Sequence, residues 1–209
     1  MNPSHEIYLG DCREILPSIA RVSAVITDPP YGTTSNKWDV PVPFSVLWGI
    51  DSPVFVMTAS QPFTSMAVMS KLEWYKHEWI WIKNRGSNFA NTVREPMKEH
   101  ESVLVFAPGK WTYNKQMQDR TGSGGDRVKY GVAFQTKSKN YKEFEGRDAA
   151  TLPEQRVPSS WQKFNTEVGL HPTQKPVALA DALPARISLG GMGAGGSRDC
   201  QGEGLSHDA

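Results

Sequence analysis

The chain has 209 residues, 38% of them hydrophobic, with 23 Lys or Arg against 22 Asp or Glu and a formal net charge of +1. That length suits one domain with a single core, and near neutrality excludes a globally basic protein, so any nucleic-acid contact must come from a local patch. Two cysteines, Cys12 and Cys200, exclude a disulfide framework and a zinc spacing, while the polar N-terminus and the lack of any apolar run near the ~20 residues of a membrane span predict a cytoplasmic chain with no membrane partner and no metal.

Residues 6–10 (EIYLG) form the first predicted strand, and Asp11 opens a predicted helix with Ile15, Leu16 and Ile19 on one face. Asp11 with Glu14 three residues on is also a capping box, a purely local reason for the aspartate. Residues 22–27 are the second predicted strand, and they end at Asp28-Pro29-Pro30-Tyr31-Gly32. The exocyclic amine of adenine or cytosine is a poor nucleophile, because its lone pair is delocalised into the ring. A site that methylates it must accept the amine's hydrogens. Asp28 and Pro29 each precede a proline and are therefore biased to extended geometry, which can aim the Asp28 carboxylate and the Pro29 carbonyl at two amine hydrogens. Tyr31 offers an aromatic face to a base taken out of its stack, and Gly32 lets the chain turn away. An aspartate-capped turn would use the same letters. Position favours the site, since open α/β sheets bind ligands at the carboxyl ends of buried strands.

Residues 33–43 are a polar, proline-punctuated loop, in which Lys37 could reach phosphate and Trp38 could cover a flipped base; an ordinary surface loop is the alternative. Residues 54–58 (VFVMT) are a continuous apolar run, as expected for a strand buried on both faces. A helix follows, with Ser60 as its cap, Pro62 near its first turn, and Phe63, Met66, Ala67 and Met69 inward. Residues 78–83 (EWIWIK) alternate strictly, placing Trp79 and Trp81 on one face of a strand and Ile80 and Ile82 on the other. Residues 100–106 form a further strand. His100-Glu101 at its start invites an acid–base role, but a lone histidine more often satisfies local hydrogen bonds than does chemistry, so a structural or positioning role is favoured.

From residue 110 to 164 periodicity fades, and eleven cations face six acids with Trp111, Tyr113, Tyr130, Tyr141 and Trp161 among them. Such a surface suits phosphate neutralisation and base contacts; Arg120, Arg127, Lys129, Lys137 and Lys139 are the candidates there, with a solvated loop as the alternative. His171-Pro172-Thr173-Gln174-Lys175-Pro176 combines hydrogen-bonding side chains and a cation in a proline-held segment, a match for an amino-acid carboxylate. A helix over residues 177–183 follows.

Taken together, Gly10-Asp11-Cys12, Asp28-Pro29-Pro30-Tyr31, Trp81-Ile82-Lys83, His100-Glu101 and residues 171–176 resemble the S-adenosylmethionine-dependent DNA amino-methyltransferases whose catalytic motif lies near the N-terminus. The resemblance covers residues 6–183. It implies a Rossmann-like α/β sheet of order 3-2-1-4-5-7-6, double-stranded DNA as partner, and S-adenosylmethionine as methyl donor. It also implies catalytic roles for Asp28, Pro29, Pro30 and Tyr31, and cofactor contacts from Asp11, Cys12, Asp28, His171, Pro172, Thr173, Gln174 and Lys175. The aspartate in the first motif position favours adenine N6 over cytosine N4. The family's Asp-x-Phe-x-Gly-x-Gly strand has no counterpart after residue 183, and Gly191-x-Gly193-x-x-Gly196 lacks a strand before it and a helix after it, so glycine bias explains its spelling.

The expected organisation is a catalytic core over 1–109, a DNA target-recognition insert over 110–165, a cofactor-side motif and helix over 166–187, and a glycine-rich disordered tail over 188–209. The strands starting near residues 6, 22, 54, 78 and 100 would be strands 3, 4, 5, 6 and 7, with strands 1 and 2 missing through truncation or a frameshift and cofactor binding weakened accordingly. The competing readings are a non-catalytic DNA-binding remnant, and methylation of cytosine N4, RNA or a protein amide.

Overall fold

The computed structural model describes residues 6–119, 155–167, 169, 171, 173–185 and 187–188. Arg120, Arg127, Lys129, Lys137, Lys139 and Pro172, and the tail beyond residue 188, lie outside the described residues.

The elements follow in chain order. They are α1 (Cys12–Ile15), β1 (Val25–Thr27), α2 (Phe44–Trp48), β2 (Phe55–Ala59), α3 (Phe63–Ser70), β3 (Tyr75–Ser87), β4 (Lys98–Phe106), β5 (Thr112–Tyr113), β6 (Gln118–Asp119), β7 (Gln155–Arg156), β8 (Trp161–Lys163), α4 (Val177–Ala185) and β9 (Ile187–Ser188). Five of the strands form one sheet in the order β1-β2-β4-β3-β8. The pair β1 and β2 is parallel, β4 runs antiparallel to both β2 and β3, and β8 is parallel to β3. This is the 4-5-7-6 half of the order expected from sequence, with β8 added at its outer edge. Two short antiparallel pairs, β5 with β9 and β6 with β7, stand apart from it.

The pleat sorts each strand's side chains into two cores. Phe55, Met57 and Ala59 of β2 join Leu104 and Phe106 of β4 against Leu47 of α2 and Phe63 and Ala67 of α3. On the other face, Val56, Trp79, Trp81, Val103 and Val105 pack on Leu179 and Leu183 of α4. Helices on both faces explain why β2 is buried throughout, as the unbroken apolar run of residues 54–58 predicts.

Three sequence expectations need correction. Residues 6–10 are not a strand: Ile7 and Leu9 are almost fully exposed, and without a neighbour to complete a ladder their alternation has nothing to pack on. Among the described residues, β1 pairs with β2 alone. In α3, Phe63, Thr64 and Ala67 turn inward, whereas Met66 and Met69 are exposed, because an eight-residue helix on a flat sheet buries a stripe too narrow to reach them. Nor does Ser60 cap this helix with its side chain; its carbonyl accepts the Thr64 N–H instead. Asp11 does cap α1, accepting the Arg13 N–H at 2.8 Å. Among the described residues no helix is long and apolar enough to cross a membrane.

Candidate active site

The site is assembled at the carboxyl end of β1. Thr27 pairs with Met57, so the parallel register brings the next residues of each chain, Asp28 and Thr58, side by side. The Thr58 hydroxyl donates to Asp28 Oδ1 at 2.5 Å, and the Tyr31 hydroxyl donates to the same atom at 3.0 Å. Lys175 Nζ lies 3.0 Å from it as well. Three donors thus converge on Oδ1, and none of them uses Oδ2, while the Asp28 side chain keeps 40% of its surface open. Pro29 is buried and Pro30 half-buried, which fixes the backbone from which the carboxylate projects.

The turn after the motif is held from inside. Gly32 has φ +69°, and a Cβ there would come within 2.6 Å of the Pro41 ring, so only glycine fits without displacement. The Asp39 carboxylate then collects the N–H groups of Gly32, Thr33 and Thr34 at 2.7–2.9 Å and the Thr34 hydroxyl at 2.8 Å. Burial alone would raise the Asp39 carboxyl, but these four bonds to its ionised form outweigh burial and hold it below its ordinary range.

Glu101 is the second carboxylate, on β4 opposite Trp81 of β3. Its Oε1 lies 2.6 Å from Lys83 Nζ, and its Oε2 lies 3.2 Å from Lys175 Nζ and accepts from the Tyr31 hydroxyl at 3.2 Å. Two carboxylates and two ammoniums therefore balance around one phenol. Burial, then the Glu101 and Asp28 charges, push the Tyr31 hydroxyl well above the ordinary tyrosine range, so it remains a donor. The Tyr31 ring sits 5.2 Å from that of Phe63, and Lys175 Nζ is 5.3 Å from its centroid.

Lys175 reaches this point because the preceding segment is tied along β3. Trp81 Nε1 donates to the Phe164 carbonyl at 2.8 Å, and Asn84 Oδ1 accepts the Thr166 N–H and hydroxyl. Glu167 then accepts the Val177 N–H at the start of α4 and the Gln174 amide. Thr173 bonds to His171 Nδ1, and the His171 ring packs 5.2 Å from Trp38.

A cavity of about 850 Å³ joins these parts. It is lined by Asp28, Pro29, Pro30, Tyr31 and Trp38, by His171, Thr173, Gln174 and Lys175, by Lys83, His100 and Glu101, and by Arg85, Asn88 and Lys98 of the β3–β4 hairpin. The two motifs, separated by some 140 residues of sequence, thus face one space. Lys37 is exposed beside Trp38. Asp11 and Cys12 do not line the cavity; Asp11 is engaged by the Arg13 guanidinium, which with the Arg13 backbone N–H holds its carboxyl down at about 2. No group of three or more His, Cys, Asp or Glu able to hold a metal ion occurs among the described residues.

Sequence reasoning underrated three residues here. Thr58 read only as the end of an apolar strand, Lys83 closed the Trp81-Ile82-Lys83 match without a role of its own, and His100-Glu101 read as structural or positioning. The signal for Lys83 was present, because alternation places it on the same face as Trp79 and Trp81. That for Glu101 depended on the β3–β4 register, which no local pattern fixes.

No protein-family model and no curated protein matches the chain. Solved structures do. The crystal structure of the M1.HpyAVI-SAM complex aligns over 87% of this chain and 76% of that one, with a TM-score of 0.51 and 22% identity. The crystal structure of M1.HpyAVI aligns over 87% and 74%, with a TM-score of 0.50 and 18% identity. At these identities the likeness is one of fold, and it makes this chain an α/β protein built on the same sheet framework as the M1.HpyAVI structures.

Proposed function

We propose that this chain is an S-adenosylmethionine-dependent DNA methyltransferase acting on the N6 amine of adenine. The observation that carries the reading is the Asp28 carboxylate. Three donors gather on its Oδ1 while Oδ2 is left to a ligand, at the mouth of a cavity that also takes the segment around Lys175. The Thr58 and Tyr31 hydroxyls hold the carboxylate in place before an amine arrives. The cavity falls in the range of small-molecule sites.

The residues present suit the methionine end of the cofactor. Asp28 and Glu101 offer negative charge to a sulfonium or ammonium, and Thr173 and Gln174 offer donors to a carboxylate, while the Lys175 ammonium is engaged by Asp28 and Glu101. When bound, S-adenosylmethionine supplies an electrophilic methyl group whose bond to sulfur breaks with its electron pair staying on sulfur. Asp28 and the Pro29 carbonyl accept the amine hydrogens, which returns lone-pair density to nitrogen for the new N–C bond. The nitrogen then sheds one proton, with Asp28 as the nearest base. Tyr31 and Trp38 supply aromatic surface for a base out of its stack, and Lys37 a cation for the adjoining phosphate. Arg120, Arg127, Lys129, Lys137 and Lys139, in the target-recognition insert over 110–165, extend that contact.

The test is a transfer assay with isotope-labelled S-adenosylmethionine at millimolar concentration and mixed-sequence duplex DNA, followed by nucleoside analysis. The expected product is N6-methyladenine. Label on cytosine N4 would reassign the base, and salt-dependent DNA retention with no label would leave the chain a DNA-binding protein without this chemistry.

A further inference from the structure

Lys175 bridges two carboxylates. Its ammonium lies 3.0 Å from Asp28 Oδ1 and 3.2 Å from Glu101 Oε2, and its side chain is 17% exposed, so water does little to screen either contact. An ammonium on Asp28 Oδ1 draws electron density from the whole carboxylate and so weakens Oδ2 as an acceptor for the substrate amine. Glu101 lies on the other side of the same ammonium. It is buried, held in place by Lys83 at 2.6 Å, and linked to Asp28 a second time through the shared Tyr31 hydroxyl.

We propose that Glu101 is a positioning residue that takes the Lys175 ammonium off Asp28 when a substrate amine enters, leaving the Asp28 carboxylate to accept the amine's hydrogens. Lys83 fixes Glu101, so the movement is confined to one ammonium between two carboxylates. No proton changes hands in this step. The inference rests on the amine-methylation reading above and names a residue that the two sequence motifs do not contain.

Kinetics and NMR together test it. At saturating methyl donor, Glu101→Gln lowers kcat by roughly a hundredfold, the scale of a misplaced reacting group, with a much smaller change in KM for DNA, and Glu101→Asp recovers part of the loss. The decisive variant is Glu101→Gln with Lys175→Met. With the ammonium gone from Asp28, the double variant is expected to turn over faster than Glu101→Gln alone. A purely structural Glu101 predicts the opposite, additive losses with the double variant slowest, and that result overturns the proposal. The lysine ammonium resonances of the isolated protein give a readout that needs no turnover. Both Lys83 and Lys175 signals should be protected in wild type; Glu101→Gln should lose that of Lys83 and keep that of Lys175, which Asp28 still holds, and adding Asp28→Ala should lose both. A Lys175 signal lost in Glu101→Gln alone would overturn the inference. If wild type transfers no methyl group, the proposed reaction fails, and the NMR arm still decides whether the two carboxylates share Lys175.

Discussion

Asp39 anchors the turn behind the acceptor clamp proposed for Asp28 and the Pro29 carbonyl by accepting the Gly32, Thr33 and Thr34 N–H groups, as an N-cap residue does for a helix. Asp39→Asn keeps the shape but gives up charge-assisted bonds in a nearly buried position, so it should cost about 1–3 kcal/mol in urea unfolding at neutral pH. The sign with pH follows from the depressed carboxyl. The folded value lies below the ordinary 3.8, so this stability is present above that value and is lost as pH falls through the lower, folded one. The gap between wild type and Asp39→Asn should therefore close in acid; a gap that widened there would contradict the assignment. For Asp28, whose proposed role is chemical, Asp28→Asn should lower kcat by about a hundredfold or more at little cost in thermal stability, the scale for losing one pre-organised electrostatic group.

At the scale of elements, the site depends on β3 carrying two loads. One face of β3 buries Trp79 and Trp81 against α4, and the Trp81 indole also holds the Phe164 carbonyl, from which the chain runs on to Lys175. Trp81→Ala should cost about 3–5 kcal/mol by calorimetric unfolding, and should loosen Lys175 as well as the core. Much of this was legible in the sequence. Strict alternation in EWIWIK gave the faces of β3 directly, and the unbroken run VFVMT gave a strand covered on both sides. Legibility ended where burial is decided from outside the element. Ile7 and Leu9 alternate as a strand would but meet no neighbour, and Met66 and Met69 sit just beyond the stripe that α3 buries. Asp28, Tyr31 and Lys175 could be named from their motifs, while the Glu101 bridge between them required the register of Trp81 with Glu101.

Across the whole molecule, the sheet is unevenly protected. β8 covers the outer edge of β3, whereas β1 pairs with β2 only, among the described residues, and leaves Ile26 40% exposed beside the clamp. Such an edge is a template for another chain. Sedimentation velocity should find concentration-dependent association in wild type and less of it in Ile26→Lys; equal association in both would place the contact elsewhere. The most direct test of the account is methyl transfer from labelled S-adenosylmethionine, at millimolar concentration, to adenine in duplex DNA by wild type and by Asp28→Asn side by side. Label on adenine N6 that falls by about a hundredfold in the variant is the predicted result, and transfer indifferent to Asp28 would contradict it.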